Sequence, residues 1–353
     1  MEKLRWGVIG AGGIADRRTI PGMMLAKNAE LIAVMEVNSG FAERLRAKYN
    51  AKRKYESEEA LLSDPEVDAV YIASPVALHS KQARMAADAG KHILLEKPIA
   101  MTVNEGREVL DHCAGKKVKI AAGLMMRFGS HVGNMKRLIS EGKIGKIVSG
   151  YSQFTVWFPE QEGNWRQDRE KSGGGCMMDM GVHCLDLVEY ISGRRINHVG
   201  SINETLEFNY NVEDTSTVML RLEGGAQCVV QTNFNIPDEA AKWRMEFFGT
   251  KGRLMGDNII GQIDGGKLNA VFMEKTHGYD AKQDHDGENG IYLNGNFGNM
   301  YTREIESFSD SIINGKPLES PASDALHIQL VMEAAYRSWE EKRIIEVDYP
   351  GNT

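Results

Sequence analysis

In the first third of the chain, short unbroken apolar runs alternate with stretches of helical spacing. Residues 4–9, 31–36, 69–73, 92–95 and 118–122 read as strands, and residues 13–27, 40–49, 57–62, 79–89 and 103–114 as helices between them. Strands that are apolar at every position lie buried on both faces. Together with the β-α alternation, this predicts a doubly wound parallel sheet with helices on each side.

The pattern changes after about residue 122. A helix over 131–141 is followed by Gly142 and Gly145 and then by a strand over 146–156. Val218, Leu220 and Leu222 alternate with polar neighbours, Gly224-Gly225 breaks the run, and Cys228 and Val230 resume it, which predicts an antiparallel hairpin. Trp243 to Phe248, ending in Gly-Thr-Lys-Gly, reads as a second hairpin. Half-polar strands in series predict an α+β domain with a large open, mainly antiparallel sheet, one face on helices and the other free to meet a second subunit. Residues 276–300, rich in Gly, Asn and Asp, read as a long mobile loop. Within it, Asp284-His285-Asp286-Gly287-Glu288 lacks the spacing of a calcium loop, so no metal site is expected. Tyr301, Ile305, Phe308 and Ile312 share one helical face that ends at Gly315 and Pro317. A last helix spans 323–342 and a last strand Ile344 to Val347. The expected division is 1–122 for the first domain and 123–353 for the second.

The length of 353 residues suits two cores. A net charge of -7 argues against a nucleic-acid surface, and no apolar run is long enough to span a bilayer. With the first strand starting near Leu4, there is no room for a signal peptide, and a cytoplasmic location is expected. Cys113, Cys176, Cys184 and Cys228 show no metal-ligand spacing and read as buried thiols.

Chemistry enters at the first strand-to-helix turn. Leu4 to Ile9 leads into Gly10-Ala11-Gly12-Gly13-Ile14-Ala15, the Gly-x-Gly-x-x-Ala order of a dinucleotide-binding turn. Gly10 makes the tight turn, Gly12 admits a pyrophosphate, and the N–H groups near Gly13 and Ile14 face it at the helix start. Taken alone, the same residues also suit a plain flexible turn. The second strand ends at Glu36, placed to accept bonds from ribose hydroxyls and to repel a 2′-phosphate, so NAD(H) is expected over NADP(H). Arg44 and Arg46 lie downstream and remain within reach of a phosphate. Ser74, Pro75 and His79 follow the third strand and are expected to border the cofactor.

Glu96-Lys97-Pro98 follows the fourth strand. A lysine held there can donate to a substrate oxygen and stabilise alkoxide charge, with Glu96 positioning it; a solvated strand-end lysine is the plain alternative. In Gly173-Gly174-Gly175-Cys176-Met177-Met178-Asp179-Met180-Gly181-Val182-His183, the glycines open a helix and Asp179 and His183 stand at i and i+4. A carboxylate beside an imidazole fixes its tautomer and raises its basicity, as acid–base catalysis requires. Asp186 is a third candidate. A capped helix whose histidine bonds a core carbonyl is the alternative. Arg127, just past the last strand of the first domain, and Trp165 and Arg166, before the glycines, are candidate substrate contacts in a cleft between the domains; packing between domains competes with that reading.

In this order, the glycine turn, Ser74-Pro75 with His79, Glu96-Lys97-Pro98 and the glycines with Asp179 and His183 resemble the glucose–fructose oxidoreductase / inositol dehydrogenase / MocA family over nearly the whole chain. The resemblance implies a Rossmann domain followed by an α/β domain with a large open sheet. It implies hydride transfer between a nicotinamide cofactor and a secondary alcohol or ketone of a sugar, inositol or related polyol. It further implies dimers or tetramers formed through that sheet, and His183, where some relatives carry Tyr, points to the inositol-dehydrogenase-like branches. Two other classes stay open: a sensor that binds NAD(H) or a sugar nucleotide without turnover, and an eliminase or hydrolase that uses tightly held NAD transiently.

Overall fold

The computed structural model describes residues 2–273 and 290–348. The stretch 284–288 and most of the expected mobile loop lie outside the described residues. The chain forms two compact units, one of Met1–Phe128 with Asn299–Gln329, the other of Gly129–Gly298 with Leu330–Thr353.

Unit 1 holds six parallel strands: β1 (Leu4–Ile9), β2 (Ala29–Met35), β3 (Arg53–Tyr55), β4 (Ala69–Ile72), β5 (His92–Leu95) and β6 (Ile120–Ala122). Their order is β3-β2-β1-β4-β5-β6, so the winding reverses between β1 and β4. At such a switch point the loops beyond the strand ends diverge and leave a crevice for a ligand. The helices start on side-chain caps the sequence supplies: Asn38 accepts from Phe41 N, Ser57 from Ala60 N and Thr102 from Glu105 N. The helix expected over 79–89 starts earlier, at Val76, because Pro75 occupies its N-cap. The helix expected over 13–27 is a π-wound segment, Ala15–Thr19, followed by an α-helix, Ile20–Leu25.

The expected division at 122 is continuous, whereas the compact units are built from discontinuous segments. Residues 299–329 return to unit 1 because the apolar face of helix Met300–Ile313 is buried in its core. Ile305 and Phe308 join the cluster of Trp6, Val8, Leu31 and Val34. Phe308 packs on the Trp6 ring at 5.2 Å, and Trp6 Nε1 donates to Ser309 Oγ at 3.2 Å.

Unit 2 is built on nine strands among the described residues, in the order β14-β13-β12-β11-β7-β10-β9-β8-β15. They are β7 (Ile147–Thr155), β8 (Ile196–Glu204), β9 (Thr215–Leu222), β10 (Gln227–Asn233), β11 (Arg244–Gly249), β12 (Gly252–Asp257), β13 (Lys267–Phe272), β14 (Ile291–Leu293) and β15 (Ile345–Glu346). The pair β7/β10 is parallel and the remaining pairs are antiparallel. Both expected hairpins form, as β9/β10 and β11/β12. β14 is a departure from the expected loop, since Ile291 to Leu293 adds an edge strand to β13. Inward positions such as Val218, Leu220, Cys228 and Val230 are buried. On the opposite face, one row of paired residues runs Gly200, Met219, Val229, Tyr151, Glu246, Met255, Asn269 and Tyr292. Helix Val182–Ser192 is buried along almost its entire circumference and packs against β7 and β10. No helix among the described residues is long and apolar enough to cross a membrane.

Candidate active site

In unit 1 the candidate residues gather around the turn after β1. Gly10 has φ +70°, and a Cβ there would lie 2.7 Å from Ser74 N, so the glycine serves both the turn and the close approach to the end of β4. Gly12 N donates to Glu36 Oε1 at 2.7 Å, which ties the glycine turn to the tip of β2. A Cβ on Gly12 would meet the Phe41 ring at 2.9 Å and Glu36 Oε1 at 3.0 Å. Gly12 is thus required by the protein's own side chains, before any pyrophosphate. Gly13 has φ +54° and open space around it, and Ile14 stands at the N-cap of the π-wound segment. The two downstream arginines are engaged locally: Arg46 on Glu43 at 2.7 Å, and Arg44 over the Phe41 ring at 4.5 Å.

Ser74 Oγ bonds Gln82, and Pro75 is exposed at the start of its helix. His79, expected at the border of the cofactor, is held in the interior. It is 1% exposed, and its ring nitrogens lie 2.9 Å from the Pro98 carbonyl and 2.8 Å from the Ser74 carbonyl. Burial lowers its pKa. Its place is beneath two loops, which it braces.

Glu96 anchors the Lys97 turn from inside. Lys97 N donates to Glu96 Oε2 at 3.2 Å, the Tyr71 hydroxyl donates to Oε1, and Thr19 Oγ1 donates to the Tyr71 oxygen at 3.0 Å. A Cβ on Gly123 would lie 3.0 Å from Glu96 Oε1, so β6 closes the other side. Below this cluster Glu304 is buried, with Oε1 unpartnered. Desolvation, reinforced by the Glu96 charge, pushes its pKa well up. Arg127, an expected substrate contact, has a side chain 5% exposed that donates to Asp324 at 2.8 Å and to the Glu319 carbonyl at 2.9 Å, so it fastens the returning 299–329 segment to unit 1.

In unit 2 the glycine run leads into a π-wound turn, Met177–Gly181, in which Val182 N donates to Met177 O across five residues. Such one-turn insertions recur at functional sites. Asp179 lies within this turn and keeps 34% of its side chain exposed, while His183 lies in the first turn of helix Val182–Ser192 at 8% exposure. Arg166 Nε stands 3.7 Å from Asp179 Oδ1, and its guanidinium lies 4.5 Å from the Trp165 ring centre. The structure therefore brings Arg166 and Trp165 to the carboxylate expected to serve His183. Asp186 is buried at 2% exposure. All four cysteines are free and buried, with burial raising Cys184 to about 12 and Cys113 to about 11.

Two residues escaped the sequence reading. Glu213, just before β9, and Tyr336, in helix Ala322–Glu341, both reach the glycine run. An acidic residue next to an alternating strand gives no periodic signal, and neither residue is near Gly175 in sequence. Among the described residues no group of three or more His, Cys, Asp or Glu is arranged to hold a metal ion.

A parallel sheet with a glycine turn at its switch point and an acid at the tip of β2 has the features of a dinucleotide-binding domain. Two family models match: "Oxidoreductase family, NAD-binding Rossmann fold" over residues 4–124 and "GFO/IDH/MocA C-terminal domain" over 132–255. The chain belongs to this NAD-binding oxidoreductase family. It is 29% identical over 259 residues to a 1,5-anhydro-D-fructose reductase of Ensifer adhaerens, covering 73% of this chain and 77% of the relative. It is 26% identical to a myo-inositol 2-dehydrogenase of Thermotoga maritima, over 98% and 99% of the two chains. The aldose-aldose oxidoreductase of Caulobacter crescentus, solved with glycerol, shares the fold at TM-score 0.87 and 24% identity, over 98% and 100% of the two chains.

Proposed function

We propose that the protein moves a hydride between NAD(H) and a secondary alcohol or ketone of a sugar, inositol or related polyol. The observation that carries this reading is the grouping of Asp179, Arg166 and the Trp165 face at the helix that bears His183. An aromatic face beside a forked donor and a carboxylate suits a polyhydroxylated ring. The named substrates of the relatives support the same class.

The residues of unit 1 fit a dinucleotide. The glycine turn leaves open space at Gly13, and Ser74 and Pro75 border the neighbouring strand end. Glu36 would hold the ribose hydroxyls, and its charge together with the local engagement of Arg46 supports NAD(H) over NADP(H). The nicotinamide, when bound, supplies the hydride acceptor or donor. In the oxidative direction a ring nitrogen of His183 takes the hydroxyl proton, and the Asp179 carboxylate favours the charged imidazole. Lys97 Nζ donates to the substrate oxygen and stabilises the charge that develops there. Arg166 orients Asp179 and offers the remaining donors to substrate hydroxyls.

The test is a panel of sugars, inositols and their keto forms, followed at the nicotinamide absorbance band with NAD and NADP in parallel. Lys97→Ala and His183→Ala should each lower kcat by about 100-fold or more while cofactor binding survives. Full turnover in either variant removes that residue from the mechanism. Tight cofactor binding with no turnover on any compound would favour a sensor instead. We further read the open face of the nine-stranded sheet, where Ile202 and Met219 are exposed, as the meeting surface of identical subunits, which sedimentation measures directly. Four free thiols favour a reducing, cytoplasmic setting.

A further inference from the structure

The segment Gly173 to Gly175 is glycine throughout, so its conformation is not set by its own side chains. The neighbouring elements impose it. Gly175 N and Met177 N both donate to Glu213 Oε1, at 2.8 Å and 3.1 Å, and Cys176 N donates to the Glu213 carbonyl at 3.0 Å. The Tyr336 hydroxyl donates to the same Oε1 at 2.9 Å. Steric fit reinforces the bonds. A Cβ on Gly174 would fall 1.9 Å from Tyr336 Oη, and one on Gly175 would fall 1.9 Å from the Glu213 carbonyl oxygen.

Two short paths lead from this carboxylate to the candidate catalytic pair. Gly175 O accepts from Asp179 N at 3.0 Å, and Met177 O accepts from Val182 N, the neighbour of His183. Gly175 and Met177 are thus each bound at the N–H by the Glu213 side chain and at the carbonyl by the backbone of the Asp179–His183 segment. Glu213 is 5% exposed, and its other oxygen, Oε2, is buried without a partner. The acceptor power of the side chain is therefore concentrated on the one oxygen that faces the turn. A buried carboxyl with an unpartnered oxygen carries a desolvation cost, and this one is kept where helix N-terminal N–H groups need an acceptor.

We infer that Glu213, held by Tyr336, is a positioning residue that sets the winding of the Met177–Gly181 turn and through it the placement of Asp179 and His183. The inference rests on the catalytic reading of those two residues. Near-attack placement is sensitive, since a displacement of about 1 Å can cost on the order of 100-fold in rate. Positioning depends on where the acceptor oxygen sits, not on its charge. Glu213→Gln keeps the reach and an acceptor oxygen for the same three donors, with its amide nitrogen in place of the unpartnered Oε2. Glu213→Asp keeps the charge but draws the oxygen back by one methylene.

The experiment measures kcat, KM, cofactor Kd and thermal midpoint for Glu213→Gln, Glu213→Asp and Glu213→Ala, with His183→Ala as reference. Glu213→Gln should keep kcat within about threefold of the wild type. Glu213→Asp and Glu213→Ala should lower kcat by about 10- to 100-fold, with KM and cofactor Kd little changed. A folded Glu213→Asp enzyme with wild-type kcat overturns the inference. So does a Glu213→Gln enzyme as slow as Glu213→Asp, and so do kcat losses that follow the thermal midpoint across the series. If Glu213→Ala does not fold, the Gln and Asp pair decides. Wild-type turnover in His183→Ala would strike the catalytic reading itself, whatever the Glu213 variants do.

Discussion

Gly10 and Gly13 both adopt positive φ, at +70° and +54°, yet replacing each by alanine should have different consequences. The shared cost is that of an L-residue in the left-handed region, about 1–2 kcal/mol. At Gly13 the new methyl meets nothing within 4 Å. At Gly10 it falls 2.7 Å from Ser74 N, 2.9 Å from Ser74 Cα and 3.0 Å from Ala73 C, all backbone atoms. That strand end cannot swing aside cheaply, because Ala73 N is bonded to Ile9 O at 2.9 Å. Forced overpacking adds about 1–3 kcal/mol. The expected totals are about 1–2 kcal/mol for Gly13→Ala and about 2–5 kcal/mol for Gly10→Ala. At about 2–4 °C per kcal/mol for a domain of this size, the midpoints should fall by about 2–8 °C and 4–20 °C. Thermal unfolding without cofactor, paired with fluorescence titration by NADH, measures both effects. A Gly10→Ala midpoint no lower than that of Gly13→Ala would refute the steric argument. If a phosphate fills the open space at Gly13, Gly13→Ala loses cofactor affinity beyond what its small change in midpoint accounts for.

Glu36→Ala should weaken NAD binding by about tenfold or more and NADP binding far less, by parallel titration; equal losses would count against the ribose assignment. Glu304 has a raised pKa in the folded protein, so the native state holds its proton above the ordinary carboxyl range near 4.3. Stability is therefore full below that range and declines as pH rises from it toward the raised value. Glu304→Gln should remove this decline and raise the midpoint at pH 8 relative to pH 5, as read by thermal unfolding at both. An unchanged pH slope would show that another group is responsible.

The β-α alternation of unit 1 was readable because β4, β5 and β6 are short, mainly apolar runs between polar turns, and the helix caps Asn38, Ser57 and Thr102 sit where sequence rules put them. The edge strand β3, Arg53-Lys54-Tyr55, has no apolar run and escaped the reading. The glycine turn, Glu36, Glu96 and the Asp179–His183 segment were readable for the same reason: their chemistry is local. What escaped reading depends on partners remote in sequence. The apolar face of Met300–Ile313 was visible as periodicity, but periodicity says which side is buried and not against what. Trp6, its partner, lies almost the whole chain away. The protein partners of Arg127 and His79 were hidden in the same way: Asp324 lies 197 residues from Arg127, and the Pro98 carbonyl 19 residues from His79. The π winding of Ala15–Thr19 and Met177–Gly181 inserts residues into helices whose composition carries no sign of them.

The bond from Gly12 N to Glu36 Oε1 occupies one oxygen of that carboxylate and turns it toward the glycine loop. A carboxylate has further acceptor sites, so hydroxyls arriving there meet a group whose direction is already set. The loop's own backbone holds the anion in place, and little has to reorganise when a guest comes.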